Sequence, residues 1–505
     1  MTTAINSTNK QYTKYLPHWQ KLEDCYEGQT HIKSLGREYL PFTDGQKADS
    51  AGTTGSKGNQ DYETFKFRAR FHDITGETIR QALGVISKRE VSIDVPDEMD
   101  FIKERATRKG DDGPTLFLQM CEQLFLFGRM GLLIDMKERE EGVENNPYFA
   151  LYSAKSILDW STDGDRFVVL EEEKRIDDYE ETAQTGFDTQ KRLLQLEGGR
   201  TYTARIIQNN GLVTDAGNGD LITLGNRPFN KIPFVFINSD NLGPDVKVPP
   251  LSNLADIDLS IYNSEASLRF GAFLNGLAQL VMKAAIAAGN EPPVIRTDAG
   301  AVIFVGKEGD AKWISPQTTG ADVLRQLIQD DLREAGAIIG GLRSPEGRQR
   351  ESGESIRLQQ DAQYTRIQTI AKIAAAGLEK ALKLLAEWME LSPEKIDQIK
   401  VTIDLDDLNR ILTADELQKW TALAVDPNSP VTIRDVVTLM NNANFTEDDL
   451  EKLYEQKIKE AEQLRKIREA TGENQNPNQP EQPETPEGDN PSNPEQDDNA
   501  TQGNG

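Results

Sequence analysis

The chain is poor in the residues that usually carry chemistry. Of 505 residues, three are histidine and two are cysteine. His18, His31 and His72 all lie near the N-terminus, and none has the H-E-x-x-H or other metal-ligand spacing. Cys25 and Cys121 are far apart and belong to no C-x-x-C pair, so two reduced thiols are expected and no disulfide framework. No G-x-S-x-G elbow is present. The segment Ala51-Gly-Thr-Thr-Gly-Ser-Lys-Gly58 lacks phosphate-loop spacing, and no apolar strand precedes it, so it reads as part of a flexible loop over Thr43–Gln60. Nothing here points to catalysis. No enzymatic activity, cofactor or metal ion is expected.

Positive charge is also scarce. There are 57 Lys and Arg against 83 Asp and Glu, a net charge of −26. That balance excludes a protein that coats nucleic acid, because tight phosphate binding needs a basic surface. It does not exclude a channel through which DNA slides without being gripped. Long apolar runs are missing too. The most apolar window, Ala272–Gly289, contains Asn275, Gln279 and Lys283 and falls short of the ~20 apolar residues of a membrane span. The N-terminus has no apolar h-region, so no secretory signal is read there. A soluble protein made in a cytoplasm, with no membrane partner, is expected. Residues 471–505 hold eight acids and no bases among Pro, Asn and Gln, a composition expected to stay disordered.

What is present is periodicity. Tyr12, Tyr15, Leu16, Trp19, Leu22 and Tyr26 recur at helical spacing, as do Phe65, Ala69, Ile74, Ile79, Leu83 and Ile86 over Tyr62–Val85. A third helix is predicted at Thr115–Phe127 and a strand at Gly131–Asp135. The middle of the chain turns to short β-branched or aromatic runs at Tyr148–Tyr152, Phe167–Leu170, Tyr202–Gln208, Leu221–Leu224 and Ile232–Ile237, separated by turn residues. The acidic run Leu170–Glu181 has no ligand logic and reads as a solvated strand or loop edge. After Pro249-Pro250, an apolar stripe from Leu251 to Val281 predicts one helix of about 30 residues, roughly 45 Å long. Short strand-like pieces occupy Pro292–Ile314. Ser392-Pro393 opens a further helix, and Val401, Ile403 and Leu405 alternate as a strand. The fold class read from this order is α+β.

The most informative stretch is a pair of helices, Ala321–Gly336 and Glu354–Leu391, joined by a glycine-rich loop. Pro345 forbids a continuous helix, and Gly340, Gly341, Gly347 and Gly353 make the loop permissive. Arg343, Arg348 and Arg350 place positive charge in it. Such a loop suits contact with a polyanion better than catalysis.

Taken in order, these elements resemble the portal proteins of tailed bacteriophages. Local patches carry the resemblance: Trp19–Gly28 with Tyr39-Leu-Pro41; Tyr62–Val95 through Arg68-Ala-Arg-Phe and Gly84-Val-Ile-Ser-Lys; and Ile232-Pro-Phe-Val-Phe-Ile-Asn followed by Pro249-Pro-Leu-Ser-Asn-Leu-Ala-Asp. It spans nearly all of residues 10–465. The resemblance implies a ring, usually of twelve subunits, at one capsid vertex, through which double-stranded DNA is packaged and ejected. It implies residues 1–250 as a wing with a helical start and a β-rich section. Residues 251–284 would be a first stem helix, 285–319 a small α/β clip, 320–336 a second stem helix and 337–353 a tunnel loop. Residues 354–407 would supply a long helix and a wing strand, 408–470 a crown and 471–505 the acidic tail. Arg343, Arg348 and Arg350 would contact DNA. Partners implied are other copies of the chain, a terminase motor, a major capsid or scaffolding protein and a head–tail adaptor, with the protein residing in the virion after assembly in the host cytoplasm. The rival readings are another capsid-associated adaptor, or a soluble phage enzyme without a recognisable motif.

Overall fold

The structure, a computed structural model, describes residues 8–136, 146–178, 184–207, 213–215, 227–275, 279–283, 302–305, 313–314, 319–339, 353–405, 414–425, 432 and 436. The chain divides into two compact units, Met1–Ile411 and Leu412–Gly505. In the second, the described residues form one helix, Ala414–Val425, and include the buried Val436. The acidic tail, the strand expected at Leu221–Leu224 and the Pro292 end of the expected clip lie outside the described residues.

The first unit is α+β. Its helices begin with α1 (Lys10–Glu27), α2 (Gln29–Leu35), α3 (Asp44–Ala48), α4 (Lys57–Arg68) and α5 (Ile74–Ser87). Strand β1 (Val91–Asp94) and the short α6 (Phe101–Glu104) lead to α7 (Gly113–Phe127). Asp112 caps α7 by accepting from the Thr115 N–H at 2.8 Å, and proline follows in the first turn, where its missing N–H costs nothing. α1 buries Trp19, Leu22 and Cys25, and the Trp19 indole donates to the Phe127 carbonyl at 3.1 Å, tying α1 to the end of α7. Cys121 on α7 is equally buried, and both cysteines are free thiols.

Three sheets follow from these helices. β2 (Arg129–Asp135), buried at every residue, lies between antiparallel β3 (Tyr148–Ser153) and β9 (Phe234–Asn238). A five-stranded antiparallel meander runs β4 (Ile157–Trp160), β5 (Phe167–Asp178), β6 (Gln184–Glu197), β7 (Thr201–Ile207) and β8 (Val213–Asp215). After α8 (Ser252–Asn275), β10 (Gln279–Lys283) pairs with β11 (Val302–Val305) in parallel and with β12 (Trp313–Ile314) antiparallel. Then come α9 (Thr319–Ile339), the 36-residue α10 (Gly353–Trp388), α11 (Pro393–Gln398) and β13 (Lys400–Ile403). β13 pairs antiparallel with β1, Val91 opposite Ile403, so the chain beyond α10 returns to the N-terminal helices. α10 packs on β9, where a side chain at Gly377 would come within 2.6 Å of the Ile237 Cδ1 atom; only glycine permits this approach.

Three sequence expectations need correction. The helix predicted from Leu251 to Val281 stops at Asn275, and residues 279–283 form β10. Asn275-Gly276 is a turn-forming pair, and Leu280, Val281 and Met282 serve a strand as well as a helix. The periodic stretch Tyr62–Val85 is two helices, broken at Ala69–Asp73, with Asp73 in the left-handed region at φ 53°. Thr43–Gln60 is not a flexible loop. Thr43 and Gln46 form a reciprocal capping box on α3, Ser56 caps α4, and the Gly58 N–H donates to the Asp49 carbonyl at 3.0 Å. A Cβ at Gly58 would lie 2.2 Å from the Gln46 carbonyl oxygen, so this glycine serves close backbone packing. The acidic run falls on β5, within the strand or edge that its composition predicts.

Candidate functional site

The three arginines expected to touch DNA, Arg343, Arg348 and Arg350, lie outside the described residues, as does the loop between Ile339 and Gly353. The frame on either side is described. α9 turns Ile328, Ala335 and Ile339 into the core. α10 buries Ile367, Ile370, Ala374, Leu378, Ala381, Leu385 and Trp388, a stripe at three- and four-residue spacing. Arg366 of α10 donates to the Ile338 carbonyl at 3.5 Å, placing a cation at the C-terminal end of α9 where the helix dipole favours it.

α9 packs along α8, with the Ser260 hydroxyl donating to Asp331 at 2.9 Å. Burial runs in opposite directions along the two helices. α8 starts buried at Leu251, Leu254 and Ala255 and reaches Phe273 at 39% exposed. α9 starts with Val323 and Leu327 at 53% and 49% exposed and buries one face further along, at Ile328, Ala335 and Ile339. The segment between them, which carries β10, β11 and β12, therefore joins the more exposed ends of the two helices.

α4 lies along another side of α8. The Phe65 and Phe270 ring centroids are 5.4 Å apart, and the Arg68 guanidinium sits 3.5 Å over the Phe273 ring. Just beyond α4, Phe71 stands edge-on to Tyr262 at 6.0 Å. At about 100° per residue, Ser260 and Tyr262 point about 160° apart. The contacts that α4 itself makes, Phe270 and Phe273, lie about 80° and 140° around α8 from Ser260, so α4 and α9 pack on different sides of it. On the α4 side Phe67 is 79% exposed, and its carbonyl accepts from the Lys33 ammonium at 3.0 Å. Partial burial, and then the neighbouring Arg269, push the Lys33 ammonium below the ordinary lysine range.

The buried root of α8 holds a carboxylate. Asp73, preceding α5, is left-handed and makes no cap. Asp258 of α8 replaces it across space, accepting from the Thr75 N–H at 3.0 Å. Burial raises its pKa from the ordinary 3.8 to about 6, partly offset by the Thr75 hydrogen bond. Nearby, Glu265 receives both His72, at 3.3 Å, and Arg269. His31 contacts Asp24 at 2.8 Å and Glu27 at 3.1 Å, while His18 sits 3.4 Å from the Ser252 hydroxyl. A fully buried Arg129 lies 3.9 Å over the Trp160 ring and donates to the Pro244 carbonyl at 2.8 Å; burial pulls its pKa down to about 9. These are structural pairs and caps. Among the described residues no three His, Cys, Asp or Glu side chains converge as metal ligands. A cleft of about 650 Å³ beside α10 has Lys231 paired with Glu387 and Lys383 at 2.6 Å from Glu379, and Lys380, whose ammonium is pushed below the ordinary lysine range by burial, also lines it. No described helix is long and apolar enough to cross a membrane.

Sequence reasoning did not single out Phe67, Val323 or Leu327. A signal existed for Phe67, since it falls off the Tyr62–Phe65 stripe that α4 buries.

Residues 250–389, from the start of α8 to the end of α10, match a family described as Domain of unknown function (DUF4055). No curated protein matches the chain. Among solved structures, it is similar to a chain in the neck of a native gene transfer agent particle computed with twelvefold symmetry: 13% identity, 78% of this chain and 97% of that one, TM-score 0.36. The neck of an empty particle, computed with sixfold symmetry, gives 13% identity, the same two coverages and a TM-score of 0.37. The virion of the native gene transfer agent particle gives 14% identity over 76% of this chain and 95% of that one, TM-score 0.35. Scores this low do not establish a shared fold.

Proposed function

We propose that the chain is a portal-type subunit of a tailed phage particle. Copies of it form a closed ring, of about twelve by the family resemblance, at a capsid vertex. Double-stranded DNA enters and leaves through the centre, a terminase docks on one end during packaging, and tail or adaptor proteins dock later. The subunit performs no chemistry of its own.

The observation that carries this reading is the α8–α9 pair. At the ends joined by the segment that carries the small three-stranded sheet, Phe273 of α8 is 39% exposed and Val323 and Leu327 of α9 are 53% and 49% exposed. Val323 and Leu327 stand one turn apart on α9, so their exposed apolar surface forms a patch rather than two scattered side chains. A ring covers such surfaces with neighbouring copies. The sequence resemblance implies the order stem helix, clip, stem helix, tunnel loop, long helix for residues 251–407.

Electron microscopy of the purified protein, and of particles built from it, tests the reading. A ring with a central channel is expected; a compact monomer in both preparations defeats it. In particles, the Arg343→Glu/Arg348→Glu/Arg350→Glu variant is expected to assemble rings yet retain less DNA, because these residues would touch phosphates without reading bases. Full genome content in that variant removes the arginines from the DNA path while leaving the ring.

A further inference from the structure

We infer that the two uncovered sides of the α4–α8–α9 layer are the two halves of one head-to-tail contact between copies of this chain. The inference rests on the ring reading and names the residues that make the ring's contact. On the α4 side, Phe67 stands 79% exposed beside Lys33 and Arg68. Neither cation has a carboxylate partner among the described residues: Lys33 is spent on a backbone carbonyl, and Arg68 lies over the Phe273 ring with its Nε unpaired. On the α9 side, Val323, Leu327, Asp330 and Glu334 are exposed. Their spacing of four, three and four residues puts them within about 60° of arc on one helical stripe. Asp330 pairs with Arg333 at 2.6 Å, whereas Glu334 pairs with nothing among the described residues.

The two surfaces are complementary in kind. Each has an apolar centre, one aromatic and one aliphatic, and each has a charge of one sign left unpaired. Aromatic side chains surrounded by arginine are what interface centres favour. They also lie on different sides of α8, since the α4 contacts Phe270 and Phe273 are about 80° and 140° around it from Ser260, which faces α9. One subunit therefore cannot satisfy its own pair. A second subunit can satisfy one half and a third the other. Such an arrangement is heterologous, and it closes into a ring when the rotation between copies divides a full turn. A twofold dimer, in which one patch meets itself, would set cation against cation and leave the α9 stripe uncovered.

Two single-sided variants test the pairing. Phe67→Asp removes one half, and Val323→Asp/Leu327→Asp removes the other. All three positions are exposed, so circular dichroism and melting temperature are expected to match the wild type. Each variant alone is expected to remain monomeric by mass photometry at concentrations where the wild type forms rings, with association at least about 30-fold weaker. Mixed together, they are expected to give one-to-one pairs and nothing larger, because one intact half survives on each. Rings from either variant alone overturn the contact and leave the ring reading standing. Two monomeric variants that fail to pair when mixed overturn the head-to-tail assignment. A wild-type chain that stays monomeric at every concentration and in particles overturns contact and ring together.

Discussion

The two halves of α8 are built from similar residues and end in different surroundings. Leu251, Leu254, Ile261 and Tyr262 are at most 2% exposed, enclosed by α1, α4, α5 and α9. Leu268 and Phe270 are half-buried, and Phe273 keeps 39% of its surface in solvent under one arginine. Apolar residues spread around a helix predict that something covers it. They do not say whether the cover belongs to the same chain. In the first half it does. In the second it is incomplete, and α4 and α9 each expose apolar residues of their own.

That contrast can be broken in four places. Ile261→Ala in the covered half is expected to cost about 2–5 kcal/mol by denaturant titration, because it deletes packed methyl groups and leaves a cavity. A loss under about 1 kcal/mol would mean that the first half is not core. Next comes Asp258→Asn at the root of α8. The folded pKa of about 6 lies above the ordinary 3.8, so the folded state holds a proton that the unfolded chain releases. The stability from that proton is complete below about pH 4 and lost as pH rises through about 6, on the order of 2–3 kcal/mol. Asparagine keeps an acceptor for Thr75 and has no proton to lose. The variant should therefore gain on the wild type between pH 4 and 7, and parallel pH profiles would contradict this. Phe273→Ala is expected to cost the isolated chain about 1 kcal/mol, the Arg68 contact plus partial packing. Phe67→Ala should fall within about 0.5 kcal/mol of wild type in the same assay, yet weaken assembly. A large monomer penalty there would place Phe67 in its own chain's core.

The elements most legible in the sequence were those whose own packing repeats along the chain. α10 shows its buried face at every turn, from Ile367 to Trp388. α7 and β2 were readable for the same reason. β6 was not, because its partner strand supplies what its pattern lacks. The register sets Lys191 against Glu171, so opposite charges face each other across strands whose sequences show no clear apolar alternation. β10 escaped because its apolar run of three residues, Leu280-Val-Met282, fits two periods equally well. The cap that Asp258 provides for α5 crosses 183 residues of sequence, and no local motif announces it. Of the candidate site, the helices flanking the arginine loop were legible. The uncovered patches were not, since an exposed apolar side chain is defined by the absence of a neighbour and sequence spacing does not report neighbours.

The two cysteines acquire a use from their positions. Cys25 on α1 and Cys121 on α7 are both wholly shielded, and burial pushes both thiols up, with Asp258 and Asp24 adding to the effect at Cys25. A thiol reacts as its thiolate and only where a reagent reaches it. In the folded chain neither condition holds, so alkylation waits for the helices to part. The labelling rate of each cysteine then clocks how often its part of the core opens, and the chain carries two such clocks without any engineered probe.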